Sequence, residues 1–479
     1  MELGNKIFKG ALWSAIEKLS VQLISFALGI VLARLLTPAE YGTFGLLIVF
    51  ITISQVFIDS GFSQALIQTK ERTQNDISTV LSFNIIVAII CYIILFFTAP
   101  LLAEFYVIPE LKNLLRVLAI SLILNSLFTV PSTLLTIEMN FRQIAKITFV
   151  STLISGILAI SAAYIGWGAW SLVVQVLVKG VVSTILFWLT IDKFPKLNFH
   201  QKSFKKLFSF GSRLLISNLL ANILSNLNAI LIGKYIGTKQ LGFYTRGTQF
   251  TDMAYSVINS SINSVLLPSL STVQSDIEVL VSYCRTLLKM TALITIPIFL
   301  CLAIYAEPLI ILLLSKKWAM AIPIMQIFCI ARLITIMTGI SSNMLYVIGR
   351  TDLSLKQEYF KIAVRVILLL IALPYGIYYI ALAELTSTTL HYFINNYFPG
   401  KLFKYGSKQQ LKDIFKILIS GIIMALTGFL FMKIFESNLL KLIVTTPVII
   451  FVYILLIKVF KIKEFELLFK KIKSLKGNN

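Results

Sequence analysis

Apolar stretches, each bounded by charged residues, Pro or Gly, recur along the whole chain. A stretch of about 20 such residues is long enough to cross the hydrocarbon core of a bilayer as an α-helix. We therefore predict an all-α polytopic membrane protein with about fourteen transmembrane helices. These helices cover residues 11–36, 44–67, 79–99, 113–137, 144–164, 169–190, 209–235, 247–270, 286–305, 323–348, 357–374, 377–397, 413–432 and 441–459. A further apolar segment, 308–314, is too short to span and is expected to lie in the membrane interface.

Polar residues interrupt the predicted helices at positions that recur after 200 residues. Gln22 on the first helix has Asn222 as its counterpart on the seventh, and Gly42 has Gly242. Because polar groups cost free energy in lipid, these matched depths predict two pseudo-symmetric six-helix lobes around a central polar cavity. The predicted parts are an N-lobe at 1–200, a C-lobe at 201–400, and two extra helices with a basic tail at 401–479.

Composition supports a membrane protein, because 57% of the residues are hydrophobic and only 13% are charged. A soluble core of this length could not bury so much apolar sequence. The net charge of +22 comes from Lys and Arg that concentrate in alternate loops, which indicates topology rather than nucleic-acid binding. The positive-inside rule then places both termini of this multi-pass protein in the cytoplasm.

Catalytic and cofactor signatures are missing from the sequence. The four cysteines show no C-x-x-C spacing, and the two histidines lie far apart, so we expect no metal site and no cofactor. No nucleophile-base arrangement, phosphate-binding Gly-rich loop or ATP-binding motif is present. The sequence therefore favours a transporter over an enzyme.

The stretch Leu-Ala-Arg-Leu-Leu-Thr-Pro-Ala-Glu-Tyr-Gly at 32–42, followed by Phe44 and Asp-Ser-Gly-Phe at 59–62, resembles the N-terminal signature of the Wzx-type polysaccharide exporters. That family shares a superfamily with the MATE multidrug exporters and the lipid II flippases. The resemblance implies an alternating-access flippase that moves an undecaprenyl-pyrophosphate-linked oligosaccharide across the cytoplasmic membrane for O-antigen, capsule or exopolysaccharide synthesis. It also implies membrane lipid, a polysaccharide polymerase and export proteins as partners.

Ionisable and amide side chains inside the predicted helices are the candidate translocation residues, because a charge at mid-membrane costs on the order of 3 kcal/mol. Guanidinium and ammonium groups suit a pyrophosphate, and amides suit sugar hydroxyls. The candidates for binding or translocation are Lys18, Gln22, Asp59, Lys179, Arg213, Asn218, Asn222, Asp252, Asn259 and Arg332. The gate or coupling candidates are Glu17, Arg34, Lys234, Arg246 and Glu384.

Each of these assignments has a simpler structural alternative. Polar side chains often hydrogen-bond neighbouring helices in membranes, and the carboxylates could only pair with cations. Arg34 could only anchor a helix end, and Arg365, near the cytoplasmic end of its helix, could only snorkel. The sequence does not choose a coupling ion. Three other functions also stay open: a cation-coupled MATE-type drug antiporter of the same fold, a membrane-embedded glycosyltransferase or polymerase, and a lipid II flippase. The buried charges lean cationic, which disfavours an antiporter of cationic drugs.

Overall fold

The computed structural model describes residues 20–69, 71–191, 196–271, 273–274 and 276–466, without the side chains of 209, 210, 213, 264, 265, 267 and 268. Within these ranges the chain is helical and contains no strand, which confirms the predicted all-α class. Two short 3₁₀ turns lie at Lys316–Ala321 and Leu373–Tyr375. The helices are α1 (Ser20–Leu35), α2 (Pro38–Asp59), α3 (Phe62–Gln68), α4 (Gln74–Tyr106), α5 (Leu111–Leu118), α6 (Ile120–Ile137), α7 (Phe141–Tyr164), α8 (Ala169–Trp188), α9 (Gln201–Tyr235), α10 (Thr238–Ser271), α11 (Ile277–Ile304), α12 (Ala306–Leu313), α13 (Ile322–Val347), α14 (Thr351–Ala372), α15 (Ile377–Phe403), α16 (Ser407–Met432) and α17 (Asn438–Val459).

In the described part of the chain, every predicted span coincides with one helix or with two consecutive helices, and residues 11–19 of the first span lie outside that part. In the described part of the chain, ten helical segments are long and apolar enough to cross a membrane, and α1 is a shorter apolar helix. The remaining three, α10, α14 and α15, are long enough but more polar. The predicted number of fourteen is thus consistent with the structure. The segment around 308–314 is the separate eight-residue helix α12.

The turn between α1 and α2 follows from its sequence. Thr37 caps α2, accepting a hydrogen bond from the Glu40 backbone N–H, while the Glu40 side chain accepts one from the Thr37 N–H. Pro38 occupies the first turn of the helix, where its missing N–H costs nothing. This reciprocal capping box fixes the start of α2 directly after α1.

The contacts divide the chain into two compact units, Met1–Gly242 and Phe243–Asn479. The boundary follows α9 because that helix packs on α2, α3 and α4. One core cluster of the first unit shows why, since Leu207 of α9 is buried together with Phe62, Leu66 and Val130. The predicted lobe boundary at residue 200 was placed from the repeat in the sequence, and it stays a prediction.

Two glycines bring the starts of α2 and α10 into backbone contact within the first unit. A Cβ on Gly42 would lie 1.7 Å from the Thr238 carbonyl oxygen, and a Cβ on Gly242 would lie 1.9 Å from the Pro38 carbonyl oxygen. The contact is reciprocal, because Thr238 is the repeat counterpart of Pro38 and Gly242 that of Gly42. This symmetry supports the repeat of 200 residues.

Candidate functional site

An arginine and an aspartate from two helices of the second unit form an ion pair. Arg332 Nε on α13 donates to Asp252 Oδ1 on α10 at 2.6 Å. The guanidinium carbon lies 5.3 Å from the centre of the Tyr255 ring and 5.4 Å from that of Phe328. Among the described residues no partner is found for the two Nη groups of Arg332, so the pair orients a guanidinium edge that still has donors to offer.

A second ion pair joins α14 and α15 in the same unit. Arg365 Nε lies 3.3 Å from Glu384 Oε2, with the side chains 28% and 13% exposed. Arg365 Nε makes no hydrogen bond, so charge attraction rather than a directed hydrogen bond holds this pair together. Glu384 also interacts electrostatically with Arg332 and Asp252. The four charges therefore form one electrostatic cluster with no net charge.

His391 extends this cluster along α15. Its Nε2 lies 3.1 Å from Ser387 Oγ and 3.0 Å from the Lys361 carbonyl oxygen. Glu384 and Arg365 both contribute to its electrostatic surroundings. From the sequence we expected no metal site at His391, because the two histidines lie far apart. Seven residues separate His391 from Glu384 on α15, however, and this spacing places both side chains on the same face of the helix.

A third charge network ties α11 to the C-terminal segment. Asp413 lies 2.9 Å from Arg285 Nε and accepts a hydrogen bond from the Tyr405 hydroxyl at 3.0 Å. Burial, followed by the neighbouring Asp413 carboxylate, raises the pKa of Tyr405, which keeps its hydroxyl protonated and able to donate. Lys289 lies 3.2 Å from Glu464 and 4.0 Å from Asp413. These charges satisfy one another, which indicates a structural role.

The first unit handles its intramembrane polar groups differently. Lys179 on α8 is half-buried and forms no ion pair with any described residue. Asp59 accepts a hydrogen bond from Ser63 at 2.6 Å. Gln55 on α2 accepts one from Asn125 on α6 at 3.2 Å. Hydrogen bonds donated by a hydroxyl and by an amide thus join the helices here, and Lys179 offers a cation without an ion-pair partner among the described residues.

Two amides of α9 donate to carbonyl oxygens of their own helix. Asn222 donates to the Asn218 carbonyl oxygen at 3.1 Å, and Asn226 donates to the Asn222 carbonyl oxygen at 2.9 Å. Asn218 is exposed and Asn222 is half-buried, as is Asn259 on α10. The described hydrogen bond of the Asn222 side chain therefore stays within α9. Gln22 on α1 is half-buried as well.

Three of the gate candidates, Lys234, Arg246 and Arg34, differ in their contacts. Lys234 donates to the Phe105 carbonyl oxygen and stands 4.1 Å from the centre of the Phe105 ring. Arg246 is buried and donates to Gln249 Oε1, while Arg34 is exposed at the end of α1. Glu17, Lys18 and the side chain of Arg213 lie outside the described residues, so their roles stay predictions.

The structure thus brings Asp252, Arg332 and Glu384 together among the predicted residues, and adds Arg365, which the sequence placed near a helix end. In the part of the chain that is described, no group of three or more His, Cys, Asp or Glu side chains could hold a metal ion.

Comparisons with known proteins give this arrangement a context. Residues 31–323 match the protein family described as "Polysaccharide biosynthesis protein". The chain is 27% identical over 352 residues to the teichuronic acid biosynthesis protein TuaB of Bacillus subtilis (strain 168), covering 73% of each chain. It is 24% identical over 363 residues to the lipopolysaccharide biosynthesis protein WzxC of Escherichia coli (strain K12), covering 75% of this chain and 74% of WzxC.

A solved structure is similar as well. The lipid II flippase MurJ in an inward closed conformation matches with a TM-score of 0.75 at 17% identity, covering 94% of this chain and 98% of MurJ. At this identity the likeness shows a shared fold.

Proposed function

The chain belongs to the family of polysaccharide biosynthesis proteins, and from this premise we propose that it flips an undecaprenyl-pyrophosphate-linked oligosaccharide across the bacterial cytoplasmic membrane by alternating access. It is a multi-pass membrane protein of the transporter type and not an enzyme. TuaB and WzxC are named for the biosynthesis of surface polysaccharides, and MurJ for flipping a lipid-linked precursor, which supports a cargo of the same kind here.

The orientation of Arg332 is the observation that carries the proposal. Asp252 holds the guanidinium through Nε alone, and the aromatic rings of Tyr255 and Phe328 flank it. The Nη edge can then donate two parallel hydrogen bonds to a phosphate, the geometry in which Arg binds phosphate most strongly. A single aspartate would not saturate these donors, so the pair is suited to binding an anion.

Lys179 and the amides supply complementary chemistry. Within the first unit, the Lys179 ammonium is a point charge without an ion-pair partner among the described residues, so it can attract an anion. Exposed or half-buried amides such as Asn218 and Asn259 can both donate to and accept from sugar hydroxyls. A drug antiporter would instead need an acidic site for cationic amphiphiles within its helices, whereas the charge cluster around Arg332 and Glu384 carries no net charge.

Deleting the gene tests the proposal directly. We expect lipid-linked oligosaccharide to accumulate on the cytoplasmic leaflet, which extraction and mass analysis of polyprenyl-linked glycans would detect. Complementation with the wild-type chain should return the pool to its normal size. An unchanged pool, together with a new sensitivity to cationic dyes, would contradict the flippase and favour the antiporter. Co-purification with a polysaccharide polymerase would test the proposed partner.

Both termini are proposed to face the cytoplasm. The test uses two variants, each with a single cysteine, at Ala39 or at Ser407. The native cysteines are first replaced, and intact spheroplasts are then treated with an impermeant maleimide; these cysteines are Cys91, Cys284, Cys301 and Cys329. Labelling at position 39 and protection at position 407 is the expected result. The reverse pattern would invert the topology.

A further inference from the structure

A concave surface in the first unit is lined by none of the charged residues of α8 and α9. Its volume is about 530 Å³, within the range of roughly 300–1,000 Å³ that is typical of small-ligand sites. The first turn of α2 contributes Glu40, the residue before α5 is Glu110, and the α7–α8 hairpin contributes Trp167, Gly168 and Trp170. Three separate segments of the chain thus converge on one pocket.

The Glu40 carboxylate is fixed by one oxygen and open at the other. Oε2 accepts hydrogen bonds from the Thr37 backbone N–H at 2.6 Å and the Thr37 hydroxyl at 2.9 Å. Oε1 has no hydrogen-bond partner among the described residues. The capping box therefore holds a pre-oriented acceptor at the pocket, at no further cost in side-chain entropy when a ligand binds.

Gly168 keeps that oxygen accessible. Its φ of 54° lies in the left-handed region, and a Cβ at this position would lie 2.4 Å from Glu40 Oε1. Any other residue would push the carboxylate away or cover it. The hairpin sequence thus serves the pocket as well as the turn.

The remaining lining combines aromatic faces with carboxylate acceptors. Trp167 is 54% exposed, Trp170 is half-buried, and Glu110 is exposed. In the described part of the chain neither glutamate forms an ion pair. Two carboxylates without a cation repel a phosphate, whereas indole faces pack against the C–H face of a pyranose and carboxylates accept from its hydroxyls.

We propose that this pocket is a saccharide-binding subsite for the sugar part of the cargo, on the side of the protein that is predicted to face outward. The inference rests on the proposed function and adds to it the place where sugars are recognised. It separates two tasks: cationic residues within the helices bind the pyrophosphate, and the pocket between Glu40, Glu110 and the tryptophans binds the sugars.

Binding of a soluble oligosaccharide to the full chain in nanodiscs tests the subsite. The probe is the oligosaccharide released by mild acid from the lipid-linked glycans of wild-type cells, carrying a fluorescent label and measured by anisotropy. Glu110→Ala and Gly168→Ala should each weaken its affinity about tenfold, the effect of one or two lost hydrogen bonds. Gly376→Ala is the matched control, since Gly376 also has a positive φ of 98° but no atom within 4 Å of its Cβ position.

Glu110→Gln distinguishes a saccharide from a cation. An amide oxygen still accepts from a hydroxyl, so the probe should bind within about threefold of wild type, whereas a quaternary ammonium would lose its charge partner. Competition of the probe by choline would overturn the proposal in favour of a cation site. Wild-type chain that does not bind the probe, or variants that bind it unchanged, would leave the tryptophans as interfacial anchors only and refute the subsite.

The subsite and the flippase can fail separately. If the deletion strain accumulates lipid-linked oligosaccharide but purified protein does not bind the probe, only the subsite is wrong. If the lipid-linked pool is unchanged, the proposed function itself is wrong. The exposed Glu110 variants keep the test valid even if Gly168→Ala fails to fold.

Discussion

The two compact units place charge inside their helices in different ways. In the second unit, Arg332 pairs with Asp252 and Arg365 pairs with Glu384. In the described part of the first unit, an ion pair joins the starts of α4 and α9, where Lys206 Nζ is 3.8 Å from Asp76 Oδ2. Lys179 has no ion-pair partner among the described residues. Removing one of the paired charges should therefore leave its partner unpaired, whereas removing Lys179 leaves no charge of a described residue unpaired. The difference predicts which substitutions harm folding and which harm only transport.

Breaking the Arg365–Glu384 pair should have the largest effect. Arg365→Ala or Glu384→Ala leaves one charge unpaired in a low-dielectric environment and should destabilise the protein by about 3 kcal/mol. The double variant Arg365→Leu/Glu384→Leu should recover most of this loss, because a hydrophobic pair of similar volume removes both charges. Denaturant unfolding of purified protein and its membrane abundance would measure both effects. Single variants as stable as wild type would show that the pair is unimportant to folding.

Arg332→Lys should separate transport from folding in the second unit. The charge that faces Asp252 is kept, so the protein should accumulate normally, but the planar guanidinium fork is lost and surface polysaccharide should fall about tenfold. Arg350→Lys is the matched control, since Arg350 pairs with Asp352 on an exposed surface. Quantified polymer export at equal membrane abundance is the measurement. Normal export would remove Arg332 from phosphate binding.

Lys179→Met should be tolerated by the fold of the first unit. No partner among the described residues is left unpaired, so stability should change by less than about 0.5 kcal/mol. Export should fall about threefold, and Lys179→Arg should keep most of it, because the cation is retained. Lys412→Met, at an exposed position, provides the comparison. A large loss of stability would reveal a structural partner and weaken the contrast between the units.

The Gln55–Asn125 hydrogen bond should contribute least. A double-mutant cycle with Gln55→Leu and Asn125→Leu should give a coupling of about 0.6 kcal/mol, the typical value for such bonds in membranes. Unfolding of the three variants and wild type provides the four values. A coupling as large as that of the Arg365–Glu384 pair would mean that neutral contacts hold the first unit as strongly as ion pairs hold the second.

Hydrophobic length alone predicted the positions of the helices, because an apolar segment of this size has few other stable arrangements in a bilayer. The turn before α2 was also predictable, since Thr37, Pro38 and Glu40 encode it locally. The break between α2 and α3 was missed: Ser60 and Gly61 adopt left-handed conformations there, with φ of 43° and 73°, inside an otherwise apolar run. The signature at 32–42 correctly identified the family.

Pairing between helices was harder to predict than helix position. The sequence indicated that Arg332, Asp252 and Glu384 lie inside the membrane, but not which charges meet, since 80 residues separate Asp252 from Arg332. From the sequence we expected Arg365 only to snorkel, because its depth in the membrane was judged from its position near the end of its own helix. Its partner lies on α15, and only the packing of α14 against α15 brings the two side chains together.

The contact of Gly42 with Thr238 also has a consequence for biosynthesis. A ribosome that adds about 5–20 residues per second needs roughly 10–40 s to make the intervening chain. During that time α2 is already in the membrane while the backbone that will cover Gly42 does not yet exist. The start of α2 must therefore tolerate lipid or another temporary neighbour, and a cellular insertion factor that shields nascent helices would find this uncovered glycine surface on every newly made copy.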